Sequence, residues 1–324
     1  MGSRALLLFS ACLLGCIFVA GQEGACRPEN QAVPPETSAP DIPGVIAAGT
    51  KLQLMKQGLQ GAQGATAAPD GSLLFTERTA NKIWKLDNDG NFSPYMEDTN
   101  AANSFLFDPK GRAIGVERMP QQVALLAPGK DVLADKFEGH PFGNLNDLAL
   151  DQKGGVYFTD DHGIPADGIK PAVYYLKPNG QVIKIAEDFT FPNGVILSPD
   201  EKTLYVDDTQ GDSIRVFDVK PDGNAVNERT FVTITEGLRK GDTGAMASGA
   251  DGLTIDAAGR LYVAANSGVQ VYSPEGNHLG TIPIPKRPAQ LAFAGPGKKT
   301  LFVLAGDSLF KMPMLAEGYK GRLK

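Results

Sequence analysis

The 324-residue chain is predicted to be all-β, a six-bladed β-propeller with four-stranded antiparallel blades, and three observations lead there. A tight turn recurs six times, opening at Ala68, Asp108, Asp151, Ser198, Asp256 and Ala294, at intervals of 38 to 58 residues. Each turn feeds an apolar strand, as in Leu204-Tyr205-Val206 and Leu261-Tyr262-Val263. Five positions ahead of the turn, five of the six units carry an amide or carboxylate: Gln63, Asn103, Asn146, Asn193 and Asp251. The sixth places Ala289 there with Gln290 beside it. Units arranged around an axis would bring these oxygens toward it.

The elements follow in order. Residues 1–21 read as an export signal, because Arg4 precedes an apolar run from Ala5 to Ala20 that ends in small residues. Signal-peptidase cleavage near Ala20 or Gly21 is the favoured exit, and lipid attachment at Cys16 is the alternative. After cleavage Cys26 remains alone, so neither an internal disulfide nor a cysteine metal site is expected. Residues 22–44, rich in Pro, Glu, Ser and Ala, read as an extended tether, and the propeller occupies 45–324. Leu52-Gln53-Leu54 is expected to supply the missing strand of the last blade and so close the ring, which removes exposed edges.

Within the first unit, Leu73-Leu74-Phe75 is followed by Lys82-Ile83-Trp84-Lys85-Leu86, and Asp89-Gly90 turns the chain into Phe92-Ser93-Pro94-Tyr95. The later units repeat this meander, with unit two the most divergent copy. Phe75, Tyr157, Tyr205, Tyr262 and Phe302, each in a strand that follows a repeated turn, read as packing between blades. Additional residues fall in Glu236–Ala250, where four glycine and serine positions predict a mobile loop leading into Asp251. Gly295-Pro296-Gly297-Lys298-Lys299-Thr300 resembles a phosphate loop only superficially and reads as a hairpin turn.

A composition of 42% hydrophobic and 21% charged residues supports a large core, and a net charge of -6 without a basic stripe argues against a nucleic-acid partner. A monomer acting on a small molecule, with no transmembrane span after processing, is expected. The absence of Gly-x-Ser-x-Gly and His-Glu-x-x-His removes the commonest serine and zinc hydrolase readings. Asn193-Gly194 and Asp251-Gly252 would each signal a hairpin turn if taken alone, but a shared offset across five units favours a common site. Asn103 divides between a supporting role at that site and capping of a strand start. His162 and His140 are candidates to reach the mouth as acid or base, whereas His278 is expected at the periphery.

Leu145-Asn146-Asp147-Leu148 with Gly155-Val156-Tyr157-Phe158-Thr159-Asp160, Pro192-Asn193-Gly194 with Ser198-Pro199-Asp200, and Asp251-Gly252-Leu253 with Gly259-Arg260-Leu261-Tyr262-Val263 together resemble the SMP-30/gluconolactonase/luciferin-regenerating-enzyme family, from about residue 50 to 313. The resemblance implies an axial divalent cation, most often calcium, held by Asn193 and Asp251, with Asn146 as ligand or substrate contact. It also implies hydrolysis of a cyclic ester, with Asp251 as ligand and proton shuttle; Asn103 and His162, from their positions in the units, are expected to join Asn146 in facing the substrate. The family's Glu-Gly is Gln63-Gly64 here, which keeps an oxygen and removes a charge. Glu77, Glu117 and Asp208, at or near strand ends, make up that charge only if they reach the axis. An oxygen-rich set suits calcium better than zinc. The runner-up is a non-catalytic propeller that binds a ligand or partner at its mouth.

Overall fold

The computed structural model describes residues 37–161 and 169–321. Among these residues the chain forms six four-stranded antiparallel sheets, and in the first five the strands lie side by side in chain order. The innermost strands begin at Ala62, Ser104, Leu145, Pro192, Leu253 and Pro288, and each packs on the next, the last returning to the first. That circular contact makes the six sheets the blades of a propeller. The last blade is completed by Gln53–Gln57, paired antiparallel with Ser308–Pro313, as the alternation in Leu52-Gln53-Leu54 predicts.

The recurrent turns explain the strand spacing. The side chain at the turn origin accepts main-chain N–H groups further along: Asp108 from Lys110 and Arg112, Asp151 from Lys153 and Gly155, Asp256 from Ala258 and Arg260. In these three units an aspartate that satisfies its own turn reverses the chain at that point. The aromatics Phe75, Tyr157, Tyr205, Tyr262 and Phe302 are all buried. Tyr157 also donates its hydroxyl to the carbonyl of Gly223, and Tyr262 donates to Asp256, so the polar ends of these rings are satisfied.

Two stretches differ from expectation. Residues 37–44, read above as the end of a tether, lie on the propeller: Ile42, Val45 and Ile46 are fully buried in a cluster with Tyr262, Phe293 and Met312. The apolar spacing of these three residues outweighs the proline-rich composition before them, because burying each such side chain contributes about 1.5–3 kcal/mol. The segment expected to be mobile carries a two-stranded hairpin, Arg239–Lys240 with Met246–Ala247. It is tied down by Gln210, whose amide donates to the carboxylate of Asp242 and accepts from the Asp242 N–H. The stretch read above as an export signal and the first part of the expected tether, with Cys16 and Cys26, lie outside the described residues, as does His162.

Candidate active site

Each inner strand starts at the mouth, so the residue five positions before the turn stands at the rim of the axis. Asn103, Asn146, Asn193 and Asp251 are all more than nine-tenths buried, whereas Gln63 is partly exposed. Asn103 donates its amide to the main-chain oxygen of Asn146 at 2.7 Å and to its Oδ1 at 2.8 Å. Asn193 donates to Thr209 Oγ1 at 3.0 Å and lies close enough to Asp251 to favour its ionised form. No hydrogen bond joins the Gln63 side chain to the others among the described residues. In the sixth blade, Gln290 rather than Ala289 carries the buried amide.

Glycines let the strands meet this closely. A Cβ on Gly194 would stand 2.1 Å from the main-chain oxygen of Asp251 and 2.4 Å from Asp207 Oδ2. Neighbouring blades are also stitched by hydroxyls in matching positions: Thr76 donates to the Asn103 carbonyl, and Thr159 to the Asn193 carbonyl. Asp207 occupies the same position in the fourth blade. Its Oδ1 accepts from Gly194 N–H at 3.0 Å, its Oδ2 has no partner among the described residues, and complete burial together with Asp251 raises its carboxyl well above the usual range.

The strand-end carboxylates considered as substitutes for the charge missing at Gln63 are engaged elsewhere. Glu77 accepts from Gln60 N–H and Trp84 Nε1, Asp208 from Thr190 and Phe191 N–H, and Glu117 from Asn100 and Gln122. At the end of the second strand they hold the loop that leads into their own blade or a neighbouring turn.

The next residue along that strand is the one that sequence reasoning missed. Arg78 donates to Asn103 Oδ1 at 2.8 Å, and Arg118 donates through Nη2 to Asn146 Oδ1 at 3.1 Å and through Nε to the Leu145 carbonyl at 2.9 Å. Asp161 accepts from Asn144 and Asn146, and Thr209 bridges Asn193 to the Ala250 carbonyl. From the loop before the last blade, Arg287 reaches Asp251 Oδ2 at 3.3 Å. The repeat register carried the signal: Arg78, Arg118, Asp161 and Thr209 each follow the strand-end carboxylate of their unit.

Burial raises the Asp251 carboxyl to about 6, with Arg287 opposing the rise, Asp147 adding to it, and Asn193 and Arg118 also opposing. Burial and the neighbouring Arg78 charge push the Arg118 guanidinium down to about 10, while Asp161 and Asp251 hold it up. It stays cationic at neutral pH. The mouth therefore combines one carboxylate poised near neutrality with three guanidinium groups, an arrangement able to accept a proton and to stabilise an oxyanion. His140 is exposed on a peripheral hairpin, and His278 lies on the outermost strand of its blade beside Tyr272 and Thr281.

Known proteins agree with this architecture. The gluconolactonase of Zymomonas mobilis is 27% identical over 302 residues, covering 85% of this chain and 84% of its own. A gluconolactonase structure from Xanthomonas campestris superposes with a TM-score of 0.73 at 24% identity, covering 89% of this chain and 99% of that one. Regucalcin from Agrobacterium tumefaciens, a calcium-binding protein, superposes with a TM-score of 0.65 at 18% identity, over 82% and 93% of the two chains. The family model for the SMP-30/Gluconolactonase/LRE-like region matches residues 61–307, and the chain belongs to that family.

Proposed function

We propose that this chain hydrolyses lactones at the mouth of the propeller, with Asp251 as general base. The observation that carries the reading is the buried Asp251 carboxyl, raised to about 6 and flanked by Arg287 and Arg118. A relative that acts as a gluconolactonase, aligned over most of both chains, supports the same chemistry. In the reaction, the Asp251 carboxylate takes a proton from water as the water oxygen bonds to the lactone carbonyl carbon. The carbonyl electron pair moves onto its oxygen, where guanidinium donors stabilise it. Collapse of that intermediate breaks the ring C–O bond, and the leaving oxygen takes the proton back from Asp251, giving a hydroxy acid.

The calcium expected from the resemblance meets an unsuitable donor set. The oxygens are of the right kind, but Asn103, Asn146 and Asp251 already accept from guanidinium groups, and Gln63 brings no charge. A guanidinium about 4 Å from a divalent ion opposes it by roughly 8 kcal/mol at an effective dielectric near 20. Asp251 is the sole carboxylate among the expected ligands. The residues do not fit the ion.

The test is turnover of glucono-δ-lactone and of an aryl ester, followed by proton release. Turnover with Asp251 as base requires its ionised form, so kcat/KM should rise with pH through about 6 and then level off. Asp251→Asn should lower kcat by about a hundredfold or more. A fully active Asp251→Asn variant removes Asp251 from the mechanism, and the absence of any turnover favours a binding propeller. Export is inferred from Arg4 and the apolar run after it, and the mass of the mature protein recovered from cell fractions tests it.

A further inference from the structure

We propose that Arg118 supplies the axial positive charge that family resemblance assigns to a divalent ion, so that this chain works without one. The catalytic part rests on the lactone-hydrolase reading, while the part concerning the ion stands on geometry alone. Three features place the charge. Arg118 rises from the second strand of blade two and crosses to blade three, where both Nε and Nη2 are anchored, at 2.9 Å and 3.1 Å, on the residues that open the inner strand. It is partly buried and lies within electrostatic range of Asp251 and Asp161, so its charge is balanced where it stands. The position that the family pattern gives to glutamate is Gln63, and the nearby carboxylates Glu77, Glu117 and Asp208 are all held by other donors. A site with a carboxamide where the family pattern has a carboxylate, and with guanidinium groups on its other oxygens, holds a covalently attached cation in place of a mobile one.

A planar guanidinium with several N–H groups can hold the developing oxyanion by hydrogen bonds as well as by charge. Arg118 thus takes on the carbonyl polarisation, Asp251 keeps the proton transfer, and Arg287 pairs with Asp251 Oδ2 at 3.3 Å.

The purified full chain, stripped with chelator, decides the matter in two independent ways. Calorimetry with calcium chloride, and luminescence with terbium, should show no saturable binding up to the millimolar range in which weak calcium modules bind. Saturable binding that Asp251→Asn removes overturns the proposal, whether or not the protein turns over any lactone. Glucono-δ-lactone turnover should be unchanged by chelator and by added calcium. Loss of turnover in chelator with recovery on adding calcium also overturns it. Arg118→Met should lower kcat about a hundredfold, and added guanidinium ion should restore part of that loss, which a merely structural role for Arg118 would not allow. Failure of guanidinium to restore a folded Arg118→Met variant counts against Arg118 as the charge. If no lactone is turned over under any condition, the hydrolase reading fails while the metal titrations still decide the question of the ion.

Discussion

Asp207 shows what one buried side chain does to stability. Its Oδ2 and the Asp251 carbonyl crowd the same point beside Gly194, where Thr76 and Thr159 in other blades place a hydroxyl donor. A neutral carboxyl can donate there, and an ionised one cannot. Its folded pKa is raised above the unfolded value near 3.9, so between the two values the native state binds more protons than the unfolded state. Stability therefore falls as pH rises above about 4 on account of this group. Asp207→Asn keeps an acceptor for Gly194 N–H and gains a permanent donor. The variant should unfold at higher urea than the parent at pH 7, and the two midpoints should converge near pH 4. A lower midpoint for the variant at pH 7 would mean that the carboxylate is ionised and stabilised in the native state.

At the scale of the element, the start of each inner strand sets both packing and chemistry, and the closest approach is at Gly194. Gly194→Ala would drive a methyl into the Asp251 carbonyl and Asp207, both held by the sheet, so one strand must shift. The expected result is a loss of about 1–3 kcal/mol in urea unfolding and a fall in kcat through the displaced Asp251, with the β-type circular dichroism kept. Normal kcat in that variant would show that Asp251 can move without cost to the reaction. Much of this level was legible in the sequence, since turn aspartates act within their own units and the five-residue offset is local. Less was legible where partners come from different units. Arg78 and Arg118 contact asparagines 25 and 28 residues further along, and Arg287 reaches Asp251 across 36. The hairpin at Arg239–Lys240 was hidden for the same reason, because Gln210, which secures it, lies in the turn between the second and third strands of the fourth blade.

For the whole molecule, ring closure draws on more than the strand Gln53–Gln57. The segment after the last strand, from Met314 to Tyr319, runs back over the body: Leu315 and Ala316 donate their N–H groups to the Val45 carbonyl, Gly318 donates to Lys298, and Ala257 donates to Glu317. Met314 and Ala316 are buried there with Ile42 and Val45, so the two ends of the described chain cover one flank together. Tyr319 also lines a cavity of about 480 Å³ among the first turns of blades two to five, Asp108, Asp151 and Glu201 included, at the opposite end of the strands from Asn146 and Asp251. Removing residues 314–324 would uncover Ile42, Val45 and the other apolar neighbours of Met314 and Ala316 and cancel several main-chain hydrogen bonds. At about 1.5–3 kcal/mol for a buried methionine and about 0.5–1.5 kcal/mol for each of the four hydrogen bonds, the loss is about 4–9 kcal/mol. For a domain of this size that corresponds to a melting temperature lower by roughly 10 °C. Because the segment lies away from the mouth, kcat for lactone at 25 °C should stay within about twofold of the parent. Unchanged melting would show that the tail only rests on the body, while a collapse of kcat at full folding would tie the far face to the axial site.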